Sequence, residues 1–158
     1  MPDTSVKILF RFYSDILDAE TTETLTAEAV EVESGYFKLT SLSFYAPRIA
    51  LGDIVWAEYN VDDEMLVYRK TVTHSGSSTI HAIILNEECD LDSILAVFEL
   101  SGCITARLND KYFVISVPAT VNYIPLKRRL DELQSEKIID YIESCLADDH
   151  QYKNTTVN

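Results

Sequence analysis

The sequence predicts an α+β fold: an N-terminal small antiparallel β-sheet or barrel followed by a ferredoxin-like β-α-β-β-α part. Three observations carry this. Apolar residues recur with period two before about residue 75, and helical spacing appears only after it. The four glycines, Gly35, Gly52, Gly76 and Gly102, all fall between predicted elements, where turn geometry needs them. Finally, 47% hydrophobic and 25% charged residues over 158 positions is a composition that folds, not that of a disordered acidic tail.

The elements follow in order. Val6, Ile8, Phe10 and Phe12 share one face of a strand, with Lys7 and Arg11 on the other. Strands at 25–33 and 36–42 are joined through Ser34-Gly35. A helix over 18–32 stays open because Ala and Glu are frequent there. Val30, Val32 and the threonines at 21, 22, 24 and 26 favour strand. Residues 43–51 are irregular and contain Pro47; 53–61 and 65–73 form a hairpin around Asp62-Asp63-Glu64. Trp56 lies in a strand apolar on both faces, which places it in the core.

In the second half, 79–85 is a strand. A helix at 91–101 has Asp90 to cap it and Gly102 to end it. A hairpin over Asp110-Lys111 joins 103–109 to 112–118. A last helix runs from Pro125, a first-turn residue, with Arg128 and Glu132 in pairing distance. Ser135 caps a second helical segment in which Ile138, Tyr141, Ile142, Cys145 and Leu146 mark one face. The order β-α-β-β-α is ferredoxin-like without its last strand. The boundary falls in His74-Ser-Gly-Ser-Ser78. It gives a β-rich subdomain over residues 1–74, an α/β sandwich subdomain over 75–150 and a disordered tail over 151–158.

Charge limits function. There are 26 acidic against 13 basic residues, a net −13, spread evenly: 13 acids and 6 bases in 1–75, 13 and 7 in 76–158. Such a surface repels nucleic acid and anionic membrane and attracts basic partners. Two stretches hold no Lys or Arg: 12–37, with Asp15, Asp18, Glu20, Glu23, Glu28, Glu31 and Glu33, and 71–106, with Glu87, Glu88, Asp90, Asp92 and Glu99. The lone basic run, Lys127-Arg128-Arg129, abuts Asp131 and Glu132.

Catalytic signatures are missing. Cys89, Cys103 and Cys145 form no CxxC and read as reduced thiols of a cytosolic protein. His74, His81 and His150 form no HxxxH or HExxH, and Asp62-Asp63-Glu64 lacks the alternation of a calcium loop, so no metal and no cofactor are expected. The polar N-terminus carries no signal-like run, and no apolar stretch approaches the roughly 18 residues of a membrane span. A cytoplasmic location is expected. The segment His74-Ser-Gly-Ser-Ser-Thr-Ile-His81 brackets four hydroxyls with two imidazoles. It is neither a P-loop nor a GxSxG elbow, and the simpler reading is a turn whose hydroxyls cap backbone groups.

The run Ser43-Phe-Tyr-Ala-Pro-Arg-Ile-Ala-Leu-Gly-Asp-Ile-Val-Trp-Ala57 resembles a bacterial domain family of unknown function, numbered 4265. The Ser75-Gly-Ser-Ser-Thr79 turn, Val117-Pro118 and Tyr123-Ile124-Pro125 add to the likeness, with Ser43 standing where the family has proline. The resemblance spans roughly residues 6–146. It implies a small bacterial stand-alone protein, supports the two-part α+β reading, and brings no activity.

Acidity without catalytic residues points to a non-enzymatic binding protein, specifically an immunity-type inhibitor occluding a basic, nuclease-like toxin. Its contact residues are expected on loops, at Asp62, Asp63, Glu64, Glu87, Glu88 and Asp90. The alternative is a small-molecule sensor or enzyme using the cleft expected between the two halves, built on His74, Ser75, Ser78, Thr79 and His81. A third reading is a structural or assembly subunit.

Overall fold

The computed structural model describes residues 5–14, 17–31 and 33–152. Two compact units divide the chain, Met1–Ser75 and Gly76–Asn158.

The first unit is a closed five-stranded barrel of β1 (Ser5–Ser14), β2 (Ala19–Glu31), β3 (Tyr36–Leu39), β4 (Ile54–Asn60) and β5 (Met65–Thr73). The four consecutive pairings are antiparallel, and the seam closes by a short parallel pairing, Ile8 with Leu66 and Leu9 with Val67. Closure needs curvature, and β-bulges supply it at Ala29/Glu31, Ile54/Val55 and Trp56/Ala57. Period two fills the lumen: Ile8, Phe10, Leu25, Ala27, Phe37, Leu39, Val55 and Ala57 form its core, joined by Ala46 and Ile49 from the irregular segment. Of the 18–32 stretch, Ala19–Glu31 is strand and not helix, because Leu25 and Ala27 are needed in that core and tertiary packing overrides the propensity of Ala and Glu; Val32 lies outside the described residues.

Trp56 is not in the core. Val55 and Ala57 point inward, at 0% and 2% exposure, which leaves Ile54 and Trp56 on the barrel's outer side. A narrow barrel takes alanine at that layer and excludes indole. The ring lies beside Gly35, and the Lys70 ammonium sits 5.9 Å from its centroid. Gly35 has φ of +74°, and a Cβ there would meet the Ala57 carbonyl oxygen at 2.9 Å.

The second unit contains β6 (Ser78–Ile84), α1 (Leu91–Leu100), β7 (Ile104–Asn109), β8 (Tyr112–Val117), α2 (Tyr123–Ser135) and β9 (Ile139–Cys145), then a short 3-10 turn, Asp148–His150. The sheet order is β7-β8-β6-β9, all antiparallel. This is a complete ferredoxin-like β-α-β-β-α-β sandwich. Its core joins Ile80, Ala82, Phe113, Ile115 and Val117 of the sheet to Ile94, Leu95 and Phe98 of α1 and to Tyr123, Leu126, Leu130 and Leu133 of α2.

The last strand corrects the second helical segment expected after Ser135. Lys137 adopts φ of +60° and stops the helix: its N–H bonds the Gln134 carbonyl, and the Ile138 N–H bonds the Leu133 carbonyl. Gly102 closes α1 with the same two-bond pattern onto Glu99 and Phe98. Ser135 therefore caps nothing; its hydroxyl donates to the Asp131 carbonyl inside α2. The ion pair on that helix is Lys127–Asp131, not Arg128–Glu132. Gln151 and Tyr152, the first residues of the expected tail, bond Leu146 and Glu143; the rest of that tail lies outside the described residues.

No helix among the described residues is long and apolar enough to cross a membrane.

Candidate functional site

The six acids expected at a binding surface divide in two. Asp63 forms a two-pronged pair with Arg11, which holds its carboxyl below the usual range. Glu87 pairs with Lys111 at 2.8 Å. Asp90 caps α1, accepting from the Ser93 hydroxyl at 2.6 Å and from its N–H. These three are engaged within the chain. Asp62, Glu64 and Glu88 are exposed and make no ion pair among the described residues.

Of the acids in the base-free stretch 12–37, Asp15 lies outside the described residues and Asp18 accepts from the Tyr13 hydroxyl; the others take two roles. Glu23 turns to the backbone: one oxygen accepts from the Phe44 N–H at 2.6 Å, the other from Tyr45 and Ala46 at 3.1 and 2.9 Å. It pins the segment that carries Ala46 and Ile49 into the barrel core. Glu20, Glu28 and Glu31 on β2, and Glu33 in the turn after it, are exposed and without an ion pair among the described residues.

Asp53 works like Glu23. Fully buried, it accepts from the Ala50 N–H on one oxygen at 3.0 Å and from the Ser75 N–H on the other at 2.8 Å. His74 Nδ1 stands 3.5 Å away on an exposed ring. The Ser75 hydroxyl donates to the Leu51 carbonyl. The Gly-Asp and Ser-Gly motifs thus form one fastening at the end of the barrel.

The other hydroxyls and imidazoles of the alternative site lie in the second unit. Ser78, Thr79 and His81 are all buried on β6. His81 Nδ1 is hydrogen-bonded to the Ser144 hydroxyl on β9. Ser78 turns to His150, a residue that sequence spacing left unused. His150 Nε2 lies 3.0 and 3.1 Å from the carbonyls of Pro118 and Val121. Two acceptors require Nε2 to carry the proton, so Nδ1 accepts from the Ser78 hydroxyl, 2.6 Å away. Ser78 Oγ in turn accepts from the Ala147 N–H. At 0% and 2% exposure this serine–histidine pair is a clamp on the C-terminal segment, not an accessible nucleophile. Ser78→Ala strands the Ala147 N–H and His150 Nδ1, and the expected loss is about 1–3 kcal/mol. Urea unfolding measures it, and limited proteolysis should show new cleavage between 147 and 152.

One cluster was invisible in the sequence. On the α2–β9 side, Lys127 Nζ donates to the Tyr141 hydroxyl at 2.6 Å, lies 3.3 Å from Asp131 and sits 4.9 Å from the Tyr152 ring centroid. Tyr123 and Tyr152 both donate to Glu143. Burial and then Asp131 push Tyr141 up to about 12. Burial and then Glu143 push Tyr123 well above the ordinary tyrosine range. For Lys127 burial pulls down, but Tyr141, Glu143 and Asp131 outweigh it and the net shift is up. Every donor keeps its proton at neutral pH, so the network holds α2 to β9 and is not tuned for proton transfer. Reading 138–146 as helix hid it: as strand β9 that segment brings Tyr141 and Glu143 to Lys127 of α2.

Cys89, Cys103 and Cys145 form no disulfide among the described residues. Cys103 is buried and its pKa rises from 9.0 to about 11. Cys89 is raised as well, by burial and then by Asp90, the opposite of an activated thiol. No group of three or more His, Cys, Asp or Glu side chains among the described residues is placed to hold a metal ion.

By class, then, this is a two-unit α+β protein: a closed meander barrel followed by a ferredoxin-like sandwich. The chain belongs to the domain of unknown function family DUF4265, whose pattern matches residues 23–141. It is also similar to a solved structure described as a novel crystal structure of a hypothetical protein from Neisseria gonorrhoeae. The two share 24% identity with a TM-score of 0.79, over 93% of this chain and 99% of that one. That likeness shows a shared fold. No curated protein matches the chain.

Proposed function

We propose that this protein is a non-enzymatic acidic binding protein that engages a basic partner, with an immunity-type inhibitor of a basic toxin as the specific form. The observation that supports it is the state of the acids on β2. Glu20, Glu28 and Glu31, with Glu33 in the turn after β2, stay exposed and without an ion pair among the described residues, on a barrel whose Glu23 and Asp53 carboxylates bond its own backbone. A fixed surface of one sign steers an oppositely charged protein and speeds its association. Asp62, Glu64 and Glu88 are the loop acids with charge to spare.

Capture of the partner from the host, followed by association kinetics at about 50 and 200 mM salt, tests this reading. The partner should be basic and its on-rate should fall with salt. Lysine at Glu28 and Glu31 should slow association several-fold and leave the dissociation rate nearly unchanged. An acidic partner, or an on-rate indifferent to salt and to both reversals, refutes it. The sensor or enzyme alternative around His74 and His81 predicts instead that alanine at either histidine abolishes the biological effect in a folded protein.

A further inference from the structure

In register, Glu31, Tyr36, Trp56 and Lys70 form one row across β2, β3, β4 and β5. Phe37 and Val55 belong to the barrel core, so their neighbours Tyr36 and Trp56 stand side by side on the outer surface, about 5 Å apart. The bulge before Glu31 adds Val30 to this patch, 56% exposed. Both rings are half-buried, and among the described residues neither the Trp56 Nε1–H nor the Tyr36 hydroxyl has a hydrogen-bond partner. The Lys70 ammonium over the indole shows that the ring accepts a cation. Exposed acids rim the pair. Glu31 gives one carboxylate oxygen to the Ser34 hydroxyl at 3.0 Å and leaves the other unbonded. Glu33 precedes Gly35, on which the indole rests, and Glu28 lies one row along, opposite Lys38.

We propose, on the reading of this protein as a binder of a basic partner, that Tyr36 and Trp56 anchor that interface by taking arginine side chains of the partner on their rings. A guanidinium fits better than an ammonium. It is flat and weakly hydrated, so it stacks on an aromatic face while its fork pairs with a carboxylate. Over Tyr36 it has the free oxygen of Glu31 one strand away. Over Trp56 it takes the place of Lys70, the cation the ring already carries. Lys38 and Lys70 are the two bases of these rows, and only Lys70 has to move for docking. The labour divides accordingly. The exposed acids steer the encounter and set association, whereas the aromatic pair is desolvated on docking and sets dissociation.

Trp56 is the single tryptophan, so its emission reads this surface and no other. The test titrates tri-arginine and tri-lysine into the full chain at equal ionic strength. Tri-arginine should shift the emission saturably, half-saturating at or below about 1 mM, and tri-lysine should need at least threefold more. Tyr36→Ala should weaken tri-arginine at least threefold. Lys70→Ala should tighten it at least threefold by uncovering the ring. Lys38→Ala removes an equal charge from the same surface without uncovering a ring and should tighten it less; both lysines are exposed, so this pair carries the test if the Tyr36 variant folds poorly. An emission that tri-arginine does not move, an equal response to the two peptides, or equal effects of the two lysine variants overturns the proposal. A basic, salt-sensitive partner whose dissociation rate ignores Tyr36→Ala and Lys70→Ala removes this anchor and keeps the acidic-binder reading; an acidic partner removes that reading itself.

Discussion

Asp53→Ala is expected to lower the unfolding free energy of the barrel by roughly 2 kcal/mol, because hydrogen bonds to a charged acceptor are each worth about 1.5–3 and the buried Ala50 N–H is left without its acceptor. The Ala50 and Ser75 N–H groups would lose both carboxylate oxygens; Ala50 is buried, whereas Ser75 is an exposed residue whose N–H water can reach. Asp53→Asn should also destabilise. The amide can accept at one position only, and at the other its NH2 faces an N–H. Trp56, the chain's single tryptophan, lies in the barrel, so its fluorescence during urea unfolding reports this unit directly. A midpoint shift worth less than about 1 kcal/mol in the alanine variant is below what the loss of these two bonds requires.

The second unit is expected to lose stability on the alkaline side, from about pH 9 upward. Cys103 goes from 9.0 to about 11 by burial, and Tyr141 from 10.0 to about 12 by burial and its bond to Asp131. Both groups are kept protonated by the fold. Their contribution is therefore fully present below the unfolded value and disappears as pH climbs through the folded one, between about 9 and 12. Lys127, raised above 10.5, acts in the same sense, because its charged form is the one the fold favours. Cys103 alone is worth on the order of 2 kcal/mol across its two-unit window. Helical circular dichroism follows this unit, since both described helices belong to it. Cys103→Ala should flatten the loss between pH 9 and 11 while leaving the part above 11. A urea midpoint that stays constant from pH 8 to 11 in the unaltered protein contradicts this.

What the sequence revealed depended on whether the deciding interaction was local. Period two exposed the barrel strands, and Asp90 and Gly102 marked both ends of α1 correctly, because cap and C-terminal turn are written in adjacent residues. The same helix stop at Lys137 was not legible: a lysine in the left-handed region gives no glycine to see. Missing that stop turned β9 into helix and hid the sixth element of the sandwich. Trp56 was misplaced because a strand apolar on both sides reads as central, while only the barrel's width decides which side admits an indole. The Ser78–His150 clamp joins residues 72 positions apart, and Glu23 holds a backbone 21 to 23 residues away; no spacing rule links such partners. The acids themselves were visible, but not which of them the fold keeps for its own backbone.

An odd number of strands in a meander obliges the last to run parallel to the first, and here that seam is only Ile8–Leu66 and Leu9–Val67. On the ribosome this sets an order of events. The hairpin of β1 and β2 can form early, yet the outer edge of β1 has no partner until Leu66 and Val67 emerge. At ordinary elongation speeds of about 5–20 residues per second, the wait is several seconds. During it the nascent chain presents an unpaired strand to any neighbour. Yet the whole barrel is encoded before Gly76, so it can seal before the sandwich has been translated, and the newborn protein solves its edge problem one unit at a time.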